Sequence, residues 1–169
     1  MTKHVALVIA FKDFRDEEYA VPKELFQKSG VGVTTVSSSL GKASGKSGLL
    51  ADIDLTLGQL ELKNYDAVLF VGGGGCEEYF NNPQAHRIAA EAVRLKKVLG
   101  AICAAPEILA RAGVLKGKKA TMHYDNGSLG KGGAVFTDKD VESDGRIITG
   151  RDVNAARAWA EAVLKALGG

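Results

Sequence analysis

The stretch AICAAPEILARAG, residues 101–113, sets Cys103 between the end of an apolar run and the start of a helix. VLGAI, residues 98–102, reads as a short buried strand, while residues 104–112 are helix formers with Pro106 near the first turn, where its missing N–H costs nothing. Cys103 is therefore expected at a strand-to-helix elbow on the carboxyl edge of a sheet. There the free N–H groups and the positive end of the helix dipole favour thiolate, so the thiol is expected to titrate below its usual value of about 8.5. Free cysteines are more often small buried hydrophobes. Ala101, Ala104 and Ala105, however, leave little bulk around this sulfur, which is what close approach of a substrate carbonyl to backbone N–H groups requires.

A second stretch belongs to the same edge. The run Gly72 to Gly75 follows an apolar segment and reads as a turn whose N–H groups approach an anionic oxygen, so Gly73 and Gly74, with Ala104, are candidate oxyanion donors. It is not a dinucleotide fingerprint, because Cys76, Glu77 and Glu78 replace the required spacing and two acids repel a pyrophosphate. Gly45-Lys46-Ser47 resembles the end of a phosphate-binding loop, but Leu40 stands where the first glycine is needed and a strand-like run follows. Cys76 could act as a resolving thiol for Cys103 or be a loop cysteine without a partner. His4, opening a strand, and His86, on a helix face, read as structural. No metal site is expected, since no two histidines have ligand spacing and the two cysteines are not arranged as CxxC.

The elements that must hold these residues alternate between β and α. Residues 4–11 form a buried strand, Asp16–Lys28 an amphipathic helix stopped by Gly30, and residues 30–39 a second strand. GKASGKSG, residues 41–48, reads as a loop, and residues 49–57 alternate like a half-exposed strand or hairpin arm. Residues 65–71 are the next buried strand, and residues 83–97 a long helix leading to the elbow. Beyond it, KKATMHY and AVFT read as strands, DVESDGRIITG as a hairpin turning at Asp144-Gly145, and residues 153–167 as a closing helix. The pattern predicts a doubly wound α/β fold: a mostly parallel sheet between two helical layers, with a small β-hairpin.

A chain of 169 residues with 46% hydrophobic and 25% charged residues suits one domain, residues 1–169, with a sizeable core. The formal charge of +2 and the scattered lysines give no nucleic-acid footprint. The apolar run at residues 5–11 is too short to span a bilayer and lacks a signal-peptide cleavage pattern, so neither membrane nor secretion is expected. A working thiolate suits a reducing, cytoplasmic compartment.

LVIAFKDFRDEEYAVPKELFQKSG, YDAVLFVGGGG, AICAAP, ATMHYDN and IITGRD, in that order, resemble the DJ-1/PfpI superfamily over nearly the whole chain. The resemblance implies a flavodoxin-like fold, a homodimer or larger assembly, and a cysteine nucleophile paired with an early glutamate. These fall on Cys103 and on Glu18, four residues before Pro22. Taken alone, Asp16, Glu17 and Glu18 would simply complement a helix dipole. A carboxyl beside a thiolate cannot comfortably also be ionised, so a protonated Glu18 would donate a hydrogen bond to the sulfur and remain available as a proton carrier. The resemblance also places His123 near the cysteine, where an imidazole could relay protons. Glu77, Cys76 and Arg151 remain auxiliary candidates.

In the family's peptidases a histidine directly follows the nucleophile, whereas Ala104 follows Cys103 here. The chain therefore looks nearer the glyoxalase and deglycase branch, which implies a small carbonyl substrate such as glyoxal or methylglyoxal and no cofactor. Two alternatives stay open: an oxidative-stress sensor or chaperone working through Cys103 oxidation, and a cysteine hydrolase.

Overall fold

The first strand, β1 (His4–Val8), is apolar after its opening residue, and Val5, Ala6, Leu7 and Val8 are all buried. A strand apolar on both faces needs cover on both, as in a parallel sheet between helices. The computed structural model, which describes residues 2–168, has that arrangement. Its elements follow as β2 (Lys12–Phe14), α1 (Asp16–Lys28), β3 (Gly32–Ser37), β4 (Gly41–Gly45), β5 (Leu50–Ile53), β6 (Leu55–Thr56), β7 (Ala67–Phe70) and α2 (Pro83–Arg94). Then come β8 (Val98–Ile102), α3 (Pro106–Arg111), β9 (Lys119–Ala120), α4 (Ser128–Lys131), β10 (Val135–Phe136), β11 (Val141–Asp144), β12 (Ile147–Gly150) and α5 (Ala156–Ala166). The seven-stranded sheet runs β11-β12-β8-β7-β1-β3-β6 and is parallel except where β11 returns against β12.

Strand parity divides the core. Val5, Leu7, Ala67, Leu69, Val98 and Ile102 face α1 and α5, packing with Phe26, Trp159 and Val163. Their alternates Ala6, Val8, Val68, Phe70, Leu99 and Ala101 face α2 and α3, packing with Ile88, Ala92, Ile108 and Leu109. Because β1, β7 and β8 are adjacent and parallel, their carboxyl ends lie together on one edge. The residues just after them, Asp13 to Glu18, Gly72 to Gly75 and Cys103, therefore meet there. Among the described residues no helix is long and apolar enough to cross a membrane.

Several expected boundaries shift for physical reasons. The loop foreseen at residues 41–48 is largely strand: β4 pairs antiparallel with β5 and parallel with β2 in a separate three-stranded sheet. Small residues hid its alternation, for Ala43 is buried while Lys42 bonds Asp52 on the exposed face at 2.6 Å. The helix expected over residues 83–97 stops at Arg94, and Lys96 turns the chain into β8 with a left-handed φ of 58° and no glycine. The strand foreseen in KKATMHY shrinks to β9, because the Thr121 N–H bonds Thr149 Oγ1 and the His123 N–H bonds the Cys103 carbonyl. The strand expected over residues 65–71 narrows to β7, and the closing helix opens as a 3-10 turn capped by Asp152 before α5 begins. The hairpin turning at Asp144-Gly145 and the helix Asp16–Lys28 form as the sequence suggested.

Trp159 is fully buried and donates Nε1–H to the Ile148 carbonyl at 3.0 Å, anchoring α5 to the sheet edge. Trp159→Ala removes that packing and one hydrogen bond to the sheet, so it should cost about 3–5 kcal/mol in urea unfolding; a loss under about 1 kcal/mol would contradict this anchoring.

Candidate active site

Cys103 sits at the elbow between β8 and α3 with a φ of 65°, a left-handed conformation costing a non-glycine residue on the order of 1–3 kcal/mol. The surroundings hold it: its N–H donates to the Gly150 carbonyl at 3.0 Å, and its carbonyl accepts the His123 N–H at 3.0 Å. The N–H groups of Ala104 and Gly73 lie beside the sulfur and act to lower its pKa. Gly73 reaches this position only because it lacks a side chain. Its φ is 106°, and a Cβ there would lie 2.5 Å from the Arg15 nitrogen.

Glu18, on the first turn of α1, is fully buried. Its Oε1 accepts the Gly72 N–H at 3.1 Å. A Cβ on Gly72 would come within 2.6 Å of that oxygen and 2.7 Å of the Cys103 Cβ, so only glycine lets the two side chains close on one another. Oε2 is buried without a partner satisfying ordinary hydrogen-bond geometry among the described residues, and the remaining interaction of the carboxyl is with the Cys103 side chain.

Burial raises the Glu18 pKa to about 7, opposed by the hydrogen bonds from Cys103 and Gly72 and by the nearby Arg15 charge. The thiol behaves differently from the sequence expectation. Burial first, and then the Glu18 charge and hydrogen bond, push Cys103 up to about 12; the Ala104 and Gly73 N–H groups pull the other way and lose. The pair therefore holds both protons below about pH 7 and a single one between about 7 and about 12. Thiolate forms at the expense of the carboxylate, on proton transfer to Glu18, rather than being the standing state that a helix end alone would produce.

A cavity of about 340 Å³ opens over the sulfur, lined by Arg15, Lys46, Gly73, Gly74, Glu77, Phe80, Cys103, Ala104, Glu107, His123, Tyr124 and Asn126. Gly73, Gly74, Ala104, Glu77 and His123 were candidates from sequence, and the fold brings them together around Cys103. His123 does not face the sulfur through Nδ1, which lies 3.0 Å from the Cys103 carbonyl; a carbonyl only accepts, so Nδ1 carries a hydrogen and any proton exchange with the cavity falls to Nε2. Two auxiliaries fall elsewhere. Cys76 is fully buried in the core on the α2 side, its thiol pushed far up by that burial, and it is too enclosed to resolve a disulfide from the cavity. Arg151 is turned away onto Asp138 and Asp140, fastening that loop beyond the cavity wall.

Sequence reasoning missed Arg15, Lys46, Glu107, Tyr124 and Asn126. Arg15 is neutralised by Glu17 at 2.7 Å, and Glu107, on α3, by Arg111 at 2.6 Å. Asn126 donates to the other Glu107 oxygen at 3.0 Å, tying the His123 loop to α3. A larger cavity of about 600 Å³, sharing Glu107 and Asn126, lies beyond this tie and is lined by Asn81, His86, Arg111, Ser128 and Lys131 but by no cysteine. Among the described residues no group of three or more His, Cys, Asp or Glu is disposed to hold a metal ion.

Comparison with known proteins gives a consistent assignment. The DJ-1/PfpI family model matches residues 3–166. Uncharacterized protein MJ0967 of Methanocaldococcus jannaschii is 40% identical over 96% of this chain and 82% of its own length. A protein of Pyrococcus furiosus named deglycase PfpI is 30% identical over 95% of this chain and 98% of its own. The crystal structure of a ThiJ/PfpI domain protein from Brachyspira murdochii superposes with a TM-score of 0.96 at 28% identity, covering 99% of this chain and 97% of that one.

The buried carboxyl makes two measurable demands. A carboxyl whose pKa rises on folding stabilises the fold least above that value, so the stability present at low pH is lost as pH climbs from about 4.5 through about 7. Glu18→Gln removes this loss: relative to wild type, its unfolding free energy should gain up to ~3 kcal/mol between pH 4 and pH 8, and a pH-independent difference would refute it. The same substitution removes the Glu18 charge from beside the thiol, so the pH midpoint of Cys103 alkylation by iodoacetamide should fall. An unchanged midpoint would mean that Glu18 is already protonated in the wild type.

Proposed function

Since the chain belongs to the DJ-1/PfpI family, we propose that it is a cofactor-independent cysteine enzyme of the glyoxalase or deglycase type, with Cys103 as nucleophile and Glu18 as proton carrier. The observation that carries this reading is the fully buried Glu18 carboxyl set against Cys103 across the bare backbone of Gly72, beside the N–H groups of Gly73 and Ala104. The deglycase name of the Pyrococcus furiosus relative supports the same class of substrate. Ala104 beside the nucleophile leaves the adjacent imidazole of a peptidase missing, which weighs against peptide hydrolysis.

The chemistry follows from where the proton sits. As the Cys103 sulfur bonds to the aldehyde carbon of methylglyoxal, Glu18 takes the thiol proton and then passes it to the new oxyanion, which Gly73 and Ala104 hold meanwhile. The Glu18 carboxylate next removes the hydrogen from that same carbon, giving an enediolate; the first hydroxyl's proton moves to the second oxygen, and Glu18 returns its proton to the neighbouring carbon. The first carbon is thereby oxidised to a thioester and the second reduced to an alcohol, so no external redox partner enters. Water cleaves the thioester, releasing lactate and restoring the thiol. A carboxyl poised near pH 7 suits this alternation, since it must accept and donate in successive steps.

Purified protein should convert methylglyoxal to lactate without glutathione or added metal, and Cys103→Ser and Glu18→Ala should each reduce kcat/KM at least a hundredfold, on the order expected for a lost nucleophile or proton carrier. Enzymatic lactate assay and NMR of the product check this; turnover surviving Cys103→Ser sinks the proposal.

A further inference from the structure

The cavity over Cys103 is larger than a three-carbon dicarbonyl needs: its volume of about 340 Å³ is roughly ten times a water's share of liquid volume. What lies in the remaining space is decided by charge. Of the cations lining the wall, Arg15 is already paired with Glu17, and of the anions Glu107 is paired with Arg111. Lys46 has no acidic partner among the described residues and is exposed into the cavity mouth. Glu77, in the turn that follows Gly73, is the other acid in the lining.

Lys46 is not a loosely tethered surface lysine. Its own N–H donates to the Phe14 carbonyl at 2.9 Å. On either side, the turn joining β4 to β5 is clamped by the buried Asp16, whose two carboxylate oxygens accept the N–H groups of Ser47 and Leu49, each at 3.0 Å. A Cβ on Gly45 would overlap that carboxylate, so the turn closes on Asp16 only with glycine there. Asp16 thus does more than complement a helix dipole. It fastens the one turn that carries a free ammonium to the rim of the nucleophile's cavity.

We propose that Lys46 is a specificity-determining residue of the Cys103 site, selecting substrates that carry a carboxylate close to the reactive carbon, with Asp16 as its positioning residue. This rests on Cys103 being the reactive group, but not on the reaction proposed for it. A carboxylate is the anion of choice because the cavity offers a single free ammonium, with the acid Glu77 also in its lining, rather than the cluster of donors a phosphate dianion draws on. A neutral dicarbonyl such as methylglyoxal would then use the sulfur and the N–H groups alone, leaving the ammonium unused.

Two alkylating reagents of near-equal size and opposite character test this. Iodoacetate and iodoacetamide each lose iodide as the Cys103 sulfur bonds to their methylene carbon, and only the first brings a carboxylate. The ratio of their second-order rates at Cys103, followed by mass spectrometry at pH 8, should fall about fivefold in Lys46→Gln. It should be kept in Lys46→Arg, and the wild-type preference should shrink in 0.5 M salt. Asp16→Asn, with the lysine present but its turn released, should show the same fall. A ratio unchanged in Lys46→Gln overturns the proposal, and one unchanged in Asp16→Asn overturns the positioning role. Because alkylation needs only the thiol, a failed methylglyoxal assay beside an intact charge preference would refute the glyoxalase reading and leave this one standing; a Cys103 inert to both reagents would refute both.

Discussion

The contact between the Glu18 carboxyl and the Cys103 thiol, made across the bare backbone of Gly72, is the constraint to which the rest of the site conforms. Bringing a carboxyl and a thiol into one dry pocket is unfavourable for either anion, so the surroundings must be arranged to tolerate one negative charge and no more. That requirement explains the glycines after β7, the left-handed turn at Cys103, and the entry of α1, whose first turn delivers Glu18 inward while Asp16 and Glu17 attend to neighbouring segments. A side chain at Gly72 would separate the partners, and one at Gly73 would push the N–H groups off the sulfur.

How the charge distributes is a contest between burial and dipoles, and burial wins. A helix N-terminus was the reason to expect an acidic thiol, but α3 spans only six residues, and the N–H groups that do act on the sulfur, those of Ala104 and Gly73, lower its pKa less than desolvation and the Glu18 charge raise it. The result is a reserve rather than a permanent nucleophile: the thiol stays protonated until its neighbour can take the proton. This also protects the sulfur, since thiolate is the form oxidants and alkylating agents attack.

Much of this was legible in the sequence because it was written in local patterns. Apolar runs gave the parallel strands, Pro106 after the small residues at positions 104 and 105 gave the elbow, and the family motifs singled out Glu18 from an acidic trio whose members look alike. The losses share a cause. Lys46 lay in a segment read as a failed phosphate loop, because small residues masked the strand beside it and the Asp16 clamp spans about thirty positions. Asn126 and Glu107 meet across nineteen positions with no periodicity to announce them. Cys76 looked like a companion to Cys103 because both follow strands that end on one edge; the 3-10 turn after Gly73 rotates its side chain into the core instead.

The two hydrogen bonds from His123 to the Cys103 carbonyl bear on an atom they never touch. That carbonyl and the Ala104 N–H belong to one planar amide, so fixing the orientation of the oxygen fixes that of the hydrogen on the opposite edge of the plate. His123, held from the other side by a loop that Asn126 ties to α3, therefore aims the Ala104 N–H at the sulfur as a rudder sets a hull. The imidazole need not exchange a proton to matter: turning it would swing an anion-binding donor away from the nucleophile, on the far side of a peptide bond.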